Sequence, residues 1–248
     1  MLACLNKLKI KCSVNRMKYN LPILTAVVLL AVAPRPALSA DITGKVSLKG
    51  TPKPEINIQL GDICGKLNPG KATTRHYVVG KDAGLANVFV YLKDAKAAPA
   101  TGASPLLDQV GCMYEPYVMG VVAGQSFKVK NSDATLHNVH STPKINKEFN
   151  FGQPLKDQVN EKVFDQPEIL VRMKCDVHPW MFAYIGVTEN PYFAVTEQDG
   201  NFKISGVPDG KYTVVAYHIK THGAKGGLTA SVDVKGTAKQ DFTVEIAP

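Results

Sequence analysis

Short apolar segments, each ended by turn-forming residues, follow one another through this 248-residue sequence from residue 41 onward. Asp-Gly pairs at 199–200 and 209–210 are two of the turn signals between them. No stretch longer than about ten residues keeps a helical spacing of apolar residues, and we expect only short turns around 154–161. The sequence therefore predicts an all-β chain built as β-sandwiches. The predicted strands, rich in β-branched and aromatic residues, include Ile42–Leu48, Asn87–Lys93, Ser126–Lys130, Ile169–Lys174 and Tyr212–Tyr217.

Residues 1–40 have the layout of a secretory signal peptide. They carry six basic and no acidic residues, and their apolar run at 21–33 precedes small residues at 37–40 that suit a cleavage site. At about 13 residues, this run is shorter than the ~20 residues that span a bilayer. The sequence therefore predicts a secreted, periplasmic protein with no membrane span once the signal is removed.

Most of the net charge of +8 belongs to this leader. Without it, 23 basic residues remain against 21 acidic ones, which is a net charge of +2. No remaining cluster of Lys and Arg has aromatic residues between its members, as a surface that follows nucleic-acid phosphates would. Nucleic acid is therefore not expected as a partner.

Three cysteines remain after the leader: Cys64, Cys112 and Cys175. In an oxidising compartment an odd number usually means one disulfide and one thiol kept for another purpose. Cys175 has other candidate metal ligands close to it in the sequence, so we predict a disulfide between Cys64 and Cys112. The alternatives, two free thiols or a different pair, stay open.

The residues that carry chemistry lie between 131 and 181. His137 is followed 38 residues later by Cys175-Asp-Val-His178-Pro-Trp-Met181. Two imidazoles, one thiolate and a weak axial thioether are the donor set of a mononuclear blue-copper site. Ligands at every third position of a short loop can converge on one point, and Pro179 stiffens that loop. Structural zinc is disfavoured because Met is too weak a donor for it.

The same pattern resembles the cupredoxins, the plastocyanin- and amicyanin-like type 1 copper proteins. The loop 175–181 looks most like that of amicyanin, and the Asn that follows His137 looks like plastocyanin. The resemblance covers residues 85–188 and implies a Greek-key β-sandwich that holds one type 1 copper ion. It implies that Asn138 supports the thiolate from outside the ligand set. The implied copper ligands are His137, Cys175, His178 and Met181.

A second resemblance lies outside this region. Thr-Glu-Gln-Asp-Gly-Asn-Phe at 196–202, followed by Val-Pro-Asp-Gly-Lys-Tyr at 207–212, is similar to the carboxypeptidase-regulatory or transthyretin-like β-sandwich. It implies a second small sandwich at 189–248, with the strands of 41–84 as candidate members of the same sandwich. Whether the copper unit at 85–188 is inserted into this sandwich or precedes it stays open.

The number and spacing of the histidines predict a protein that is not an enzyme. Multicopper oxidases and copper nitrite reductases need further histidines, usually in His-x-His pairs, and the six histidines here form none. We expect His140 to lie at the surface or just outside the ligand set, and His76, His218 and His222 to face solvent. The sequence thus predicts a carrier of single electrons whose partner is a c-type cytochrome or a periplasmic dehydrogenase. The alternative is a copper-binding, copper-delivery or structural envelope protein.

Overall fold

The computed structural model describes residues 39–70, 72–220 and 226–246. The predicted signal peptide lies outside these ranges except for Ser39 and Ala40, and so does His222. The described chain is mostly strand, which confirms the predicted all-β class. No helix within the described ranges is long and apolar enough to cross a membrane.

The five predicted strands are all present, with ends that differ by at most three residues. Of the turns predicted around 154–161, the last three residues are instead part of a strand. A seven-residue helix, α1 (Gly61–Leu67), was not predicted. The strands are β1 (Ser39–Lys49), β2 (Phe89–Leu92), β3 (Leu106–Val110), β4 (Met113–Glu115), β5 (Val118–Val122), β6 (Ser126–Asn131), β7 (His137–Thr142), β8 (Asn150–Gln153), β9 (Val159–Val163), β10 (Glu168–Lys174), β11 (Phe182–Thr188), β12 (Phe193–Val195), β13 (Asn201–Pro208), β14 (Gly210–Tyr217), β15 (Leu228–Val234), β16 (Ala238–Lys239) and β17 (Phe242–Glu245).

The first pair of sheets contains the strands from both ends of the described chain. One sheet has β1 between β13 and β16, with β17 also paired to β1, and the other has the order β12-β2-β14-β15. Alternate residues of β1 are buried, as expected of a strand with one face on a core. The core between these two sheets includes Ile42, Val46, Val90, Ile204 and Val214.

The second pair of sheets contains only strands from 106–188. One sheet has the order β5-β11-β10-β7-β8 and the other β4-β3-β6-β9. Their shared core includes Phe127, Val129, Met173 and Ile185. Strand β2, which the sequence could assign to either unit, pairs with β12 and β14 of the first pair. The domain boundaries drawn from the sequence stay a prediction.

A third apolar cluster joins the two pairs of sheets. Phe89 from β2 packs there with Tyr117, Leu170 and Tyr184 of the second pair. The sheets approach so closely that a Cβ placed on Gly186 of β11 would overlap the Phe89 ring. Glycine at this position therefore lets the aromatic ring pack directly on the neighbouring backbone.

Candidate metal centre

The candidate ligands lie at one end of the sheet that contains β7, β10 and β11. Strands β7 and β10 are antiparallel neighbours, with Lys174 opposite His140. The start of β7, at His137, therefore lies beside the end of β10, where Cys175 follows. The loop 175–181 then leads directly into β11. Sheet pairing thus brings two segments that are distant in sequence to the same end of the sheet.

Three of the four predicted ligands present their donor atoms to one another. The Nδ1 atoms of His137 and His178 are 3.1 Å apart, and the Sγ of Cys175 is 3.7 Å from the Nδ1 of His178. Donor atoms of all three side chains lie within 4.8 Å of one another. His137 is 0% exposed and Cys175 2% exposed, whereas His178 keeps partial exposure. Two imidazole nitrogens and one thiol sulfur therefore form a compact group of donors, which we call the N, N, S set, and one side of it lies near solvent.

Backbone hydrogen bonds close the loop that holds Cys175 and His178. The N–H of Cys175 donates to the carbonyl of Met181 over 3.0 Å, and the N–H of Met181 donates to the carbonyl of His178 over 2.9 Å. Met181 is fully buried and belongs to the same apolar cluster as Cys175. The fourth predicted ligand therefore lies in the same tight loop and the same core.

Asn138 connects the two ligand segments. Its backbone N–H donates to the Cys175 Sγ over 3.3 Å, and its Oδ1 accepts from the backbone N–H of Asp176 over 3.1 Å. Its Nδ2 donates to the Oδ1 of Asn150 on β8 over 2.6 Å. A single side chain thereby fixes the distance between β7 and the loop that follows β10.

The surroundings of Cys175 favour the ionised form of its thiol. Burial alone raises its pKa, but hydrogen bonds from the imidazoles of His137 and His178 and from the backbone N–H of Asn138 outweigh burial and lower the pKa to about 6. The thiolate is the form of cysteine that binds metals. The site therefore favours this form at neutral pH.

Asp133 orients the imidazole of His137, a role that no sequence motif indicates. Its Oδ2 lies 2.9 Å from the His137 Nε2, and it also accepts the backbone N–H groups of Gly111 and Cys112 over 2.8 Å. Burial opposes the charge on Asp133, yet these hydrogen bonds lower the pKa of its carboxyl group. Burial likewise opposes protonation of His137, but its contacts with Asp133 and Cys175 raise its pKa. With Nε2 on a carboxylate, Nδ1 is left to bind a metal.

The structure joins Cys64 and Cys112 by a disulfide, which lies beside the candidate centre. Trp180 donates from its Nε1 to the carbonyl of Cys112 over 3.1 Å, and its ring centroid lies 5.3 Å from that of His178. These contacts pack Trp180 beside the candidate centre.

Among the described residues, the histidines at 76, 140 and 218 do not join His137, Cys175 and His178 as donors of the N, N, S set. On β7, His140 binds the carboxylates of Asp176 and Glu148, each over 2.8 Å. The prediction that His218 faces solvent is wrong, because His218 is 1% exposed and its ring stacks on Tyr77. Met113, Met119 and Met173 are buried among the apolar residues of the core.

No family model and no curated protein matches this chain. Among solved structures, it is similar to a purple cupredoxin from Nitrosopumilus maritimus at 21% identity, over 34% of this chain and 100% of that chain, with a TM-score of 0.29. It is similar to a Cu(I) amicyanin mutant at 21% identity, over 40% of this chain and 97% of that one, with a TM-score of 0.31. A copper-containing nitrite reductase from Thermus scotoductus is 20% identical over 38% of this chain and 25% of that one, with a TM-score of 0.30.

Proposed function

We propose that this protein binds one copper ion through His137, Cys175 and His178, with Met181 as a weak axial ligand, and carries single electrons between partner proteins. The observation that carries the proposal is the convergence of two imidazole nitrogens and one thiol sulfur from two distant stretches. Two histidines, one cysteine thiolate and a distant thioether form the donor set of blue-copper electron-transfer sites.

The spacing of the donors fits a metal ion of this kind. Metal–ligand bonds in comparable N and S sites are about 2.0 Å to nitrogen and about 2.3 Å to sulfur. Separations of 3.1 Å between the nitrogens and 3.7 Å between nitrogen and sulfur allow one ion to reach all three donors. When bound, copper supplies a centre that takes up and gives back one electron.

The protein contributes rigidity and exclusion of water. Asp133 holds the His137 ring, and the Asn138 N–H donates to the sulfur that serves as a ligand. Burial of His137 and Cys175 keeps their donor atoms away from solvent. A site that is fixed before the metal binds changes little when its charge changes, which suits electron transfer more than release of the metal to a carrier.

We extend the proposal to location and partner. The leader at 1–40 supports a periplasmic protein, and a c-type cytochrome or a periplasmic dehydrogenase is the proposed partner. Leu136 and Val177, next to two candidate ligands in the chain, are 45% and 48% exposed. Exposed apolar side chains around a partly exposed imidazole suit brief contact with such a partner. The proposal assigns no substrate to the protein.

An absorption spectrum of the purified protein after copper addition tests the proposal. We expect an intense visible band from the bond between sulfur and copper, and we expect Cys175→Ser to remove both the band and most of the copper affinity.

Met181→Leu should keep the copper but raise its reduction potential, since the axial ligand tunes that potential. Met173→Leu, in the same core but outside the ligand loop, is the matched control and should leave the potential unchanged. A colourless copper-loaded protein would favour the delivery or structural alternative, and full colour in Cys175→Ser would overturn the ligand assignment.

A further inference from the structure

The Cys64–Cys112 disulfide lies directly against the candidate copper centre. The two sulfur atoms and a ring nitrogen of His178 all lie within 4.8 Å of one another. Both cysteines are buried, and Cys64 is the one buried residue of α1. Two potential thiolates and an imidazole therefore already lie close together. Of these three residues, only His178 is also a proposed ligand of the copper centre.

We propose that reduction of this disulfide creates a Cu(I) site formed by the thiolates of Cys64 and Cys112 and the imidazole of His178. Thiolates are soft ligands that select Cu(I), and a set of three donors is one fewer than structural zinc requires. The dithiol or disulfide state of Cys64 and Cys112 then decides whether the site exists. This inference shares His178 with the proposed function but does not rest on it.

One of the two thiols stays in place when the disulfide opens. The backbone N–H of Cys112 donates to Asp133, and its carbonyl accepts from Trp180. Neither contact involves the sulfur, so reduction leaves both intact. The position of Cys112 relative to the His178 loop is therefore fixed by the sheet end and does not depend on the disulfide.

The other thiol lies on an element that can adjust. Helix α1 has only seven residues, and its Ile63 is exposed. Near Cys64, Asn68 donates to the carbonyl of Gly111 over 3.1 Å, which keeps this segment close to Cys112. Two thiolates bound to one ion lie roughly 4 Å apart, given bonds of about 2.3 Å. A small shift of α1 supplies that separation, and local opening of so short a helix gives a reductant access to the sulfurs.

The electrons and protons for this reduction come from a dithiol protein of the thioredoxin class. Two electrons and two protons pass from its dithiol to the disulfide, so that two thiols form here and the reductant becomes a disulfide. The thiol protons leave to water as Cu(I) binds. In the test below a phosphine takes the place of the dithiol protein, and it is oxidised to a phosphine oxide with one oxygen from water.

The test uses the full chain with Cys175→Ser, which removes the thiolate of the proposed copper centre and with it most of the copper affinity of that centre. The protein is prepared with the disulfide intact or reduced by a phosphine, freed of reductant under argon, and titrated with Cu(I) against a chromogenic chelator. We expect one Cu(I) bound tightly per reduced chain, whereas the oxidised chain should lose its copper to the chelator. Equal uptake by the two forms would overturn the proposal.

Two further variants in the same background show whether the imidazole takes part. We expect His178→Ala to weaken Cu(I) binding by the reduced form at least tenfold, whereas His76→Ala leaves it unchanged. Unchanged affinity in His178→Ala would mean that a bare dithiol binds the metal, which overturns the three-residue site. Wild-type protein with its disulfide intact tests the proposed function separately, because that form lacks the new site.

Discussion

At the scale of single residues, the contact between Asp133 and His137 decides which imidazole nitrogen faces the candidate metal. The carboxylate occupies Nε2, and the same carboxylate is held by the backbone of Gly111 and Cys112. Groups that hold a ligand histidine from outside the coordination set typically contribute 10–100-fold to metal affinity. Asp133 is therefore as much a part of the candidate site as the proposed ligands.

We expect Asp133→Asn to lower copper affinity about 10–100-fold, because a neutral amide holds the His137 ring less firmly in the required tautomer. Competition titration against a chelator measures this loss. Asp157→Asn is the matched control, since that exposed carboxylate pairs with Lys130 at the surface. Unchanged affinity in Asp133→Asn would contradict the role assigned to this residue.

Copper affinity should also depend on pH through Cys175 and His137. Both side chains must be deprotonated to bind metal, so protons compete with copper as pH falls. The pKa of Cys175 is lowered to about 6, while the pKa of His137 is raised by Asp133 and Cys175 despite burial. Apparent affinity should therefore fall about tenfold or more per pH unit once the pH drops below about 6, the pKa of the Cys175 thiol. Affinity that stays constant between about pH 7 and pH 5 would contradict the pKa of the thiol.

At the scale of elements, the contact between the two pairs of sheets depends on small residues in β11 and β5. A Cβ at Gly186 would meet the ring of Phe89, and a Cβ at Gly120 would meet the ring of Phe193. Both rings come from the neighbouring sheet. Strand β11 follows the ligand loop immediately, so this contact also fixes one end of the candidate centre.

We expect Gly186→Ala to lower the free energy of unfolding by about 1–3 kcal/mol, the usual cost of overpacking a filled core. Denaturant unfolding measures the change. In Gly152→Ala the new methyl group would meet only the Leu136 side chain, 3.8 Å away, on an exposed part of β8. That control should lose little or no stability, and an equal loss in both variants would show that the close approach is not the cause.

The sequence predicts some of these elements well for a physical reason. A strand with one buried face leaves a period of two in its own residues, so β1 and β6 are visible locally. The Cys175-x-x-His178 spacing places two donors in one loop for the same local reason. Helix α1 is too short to show a helical period, and the contact of Asp133 with Cys112 depends on sheet pairing rather than on spacing. Burial of His218 beside Tyr77 likewise follows from long-range packing that no local pattern records.

At the scale of the whole molecule, the candidate centre is not confined to the second pair of sheets. The proposed metal donors lie at the start of β7 and in the loop between β10 and β11, whereas Cys64 comes from the segment that follows β1. The disulfide therefore ties the N-terminal part of the described chain to the edge of the site. The stability of the fold is therefore expected to depend on this covalent connection.

We expect the double substitution Cys64→Ser and Cys112→Ser to lower the free energy of unfolding. The disulfide closes a loop of 48 residues, and removal of a native disulfide typically costs about 2–5 kcal/mol because the unfolded chain gains freedom. Denaturant unfolding of the copper-free protein isolates this cost from any effect of metal. Asp133 and Trp180 still hold the backbone of Cys112 in the variant, so its visible copper band should survive even though stability falls. Loss of the band at a denaturant concentration where the variant remains folded would show instead that the disulfide itself holds His178 in place.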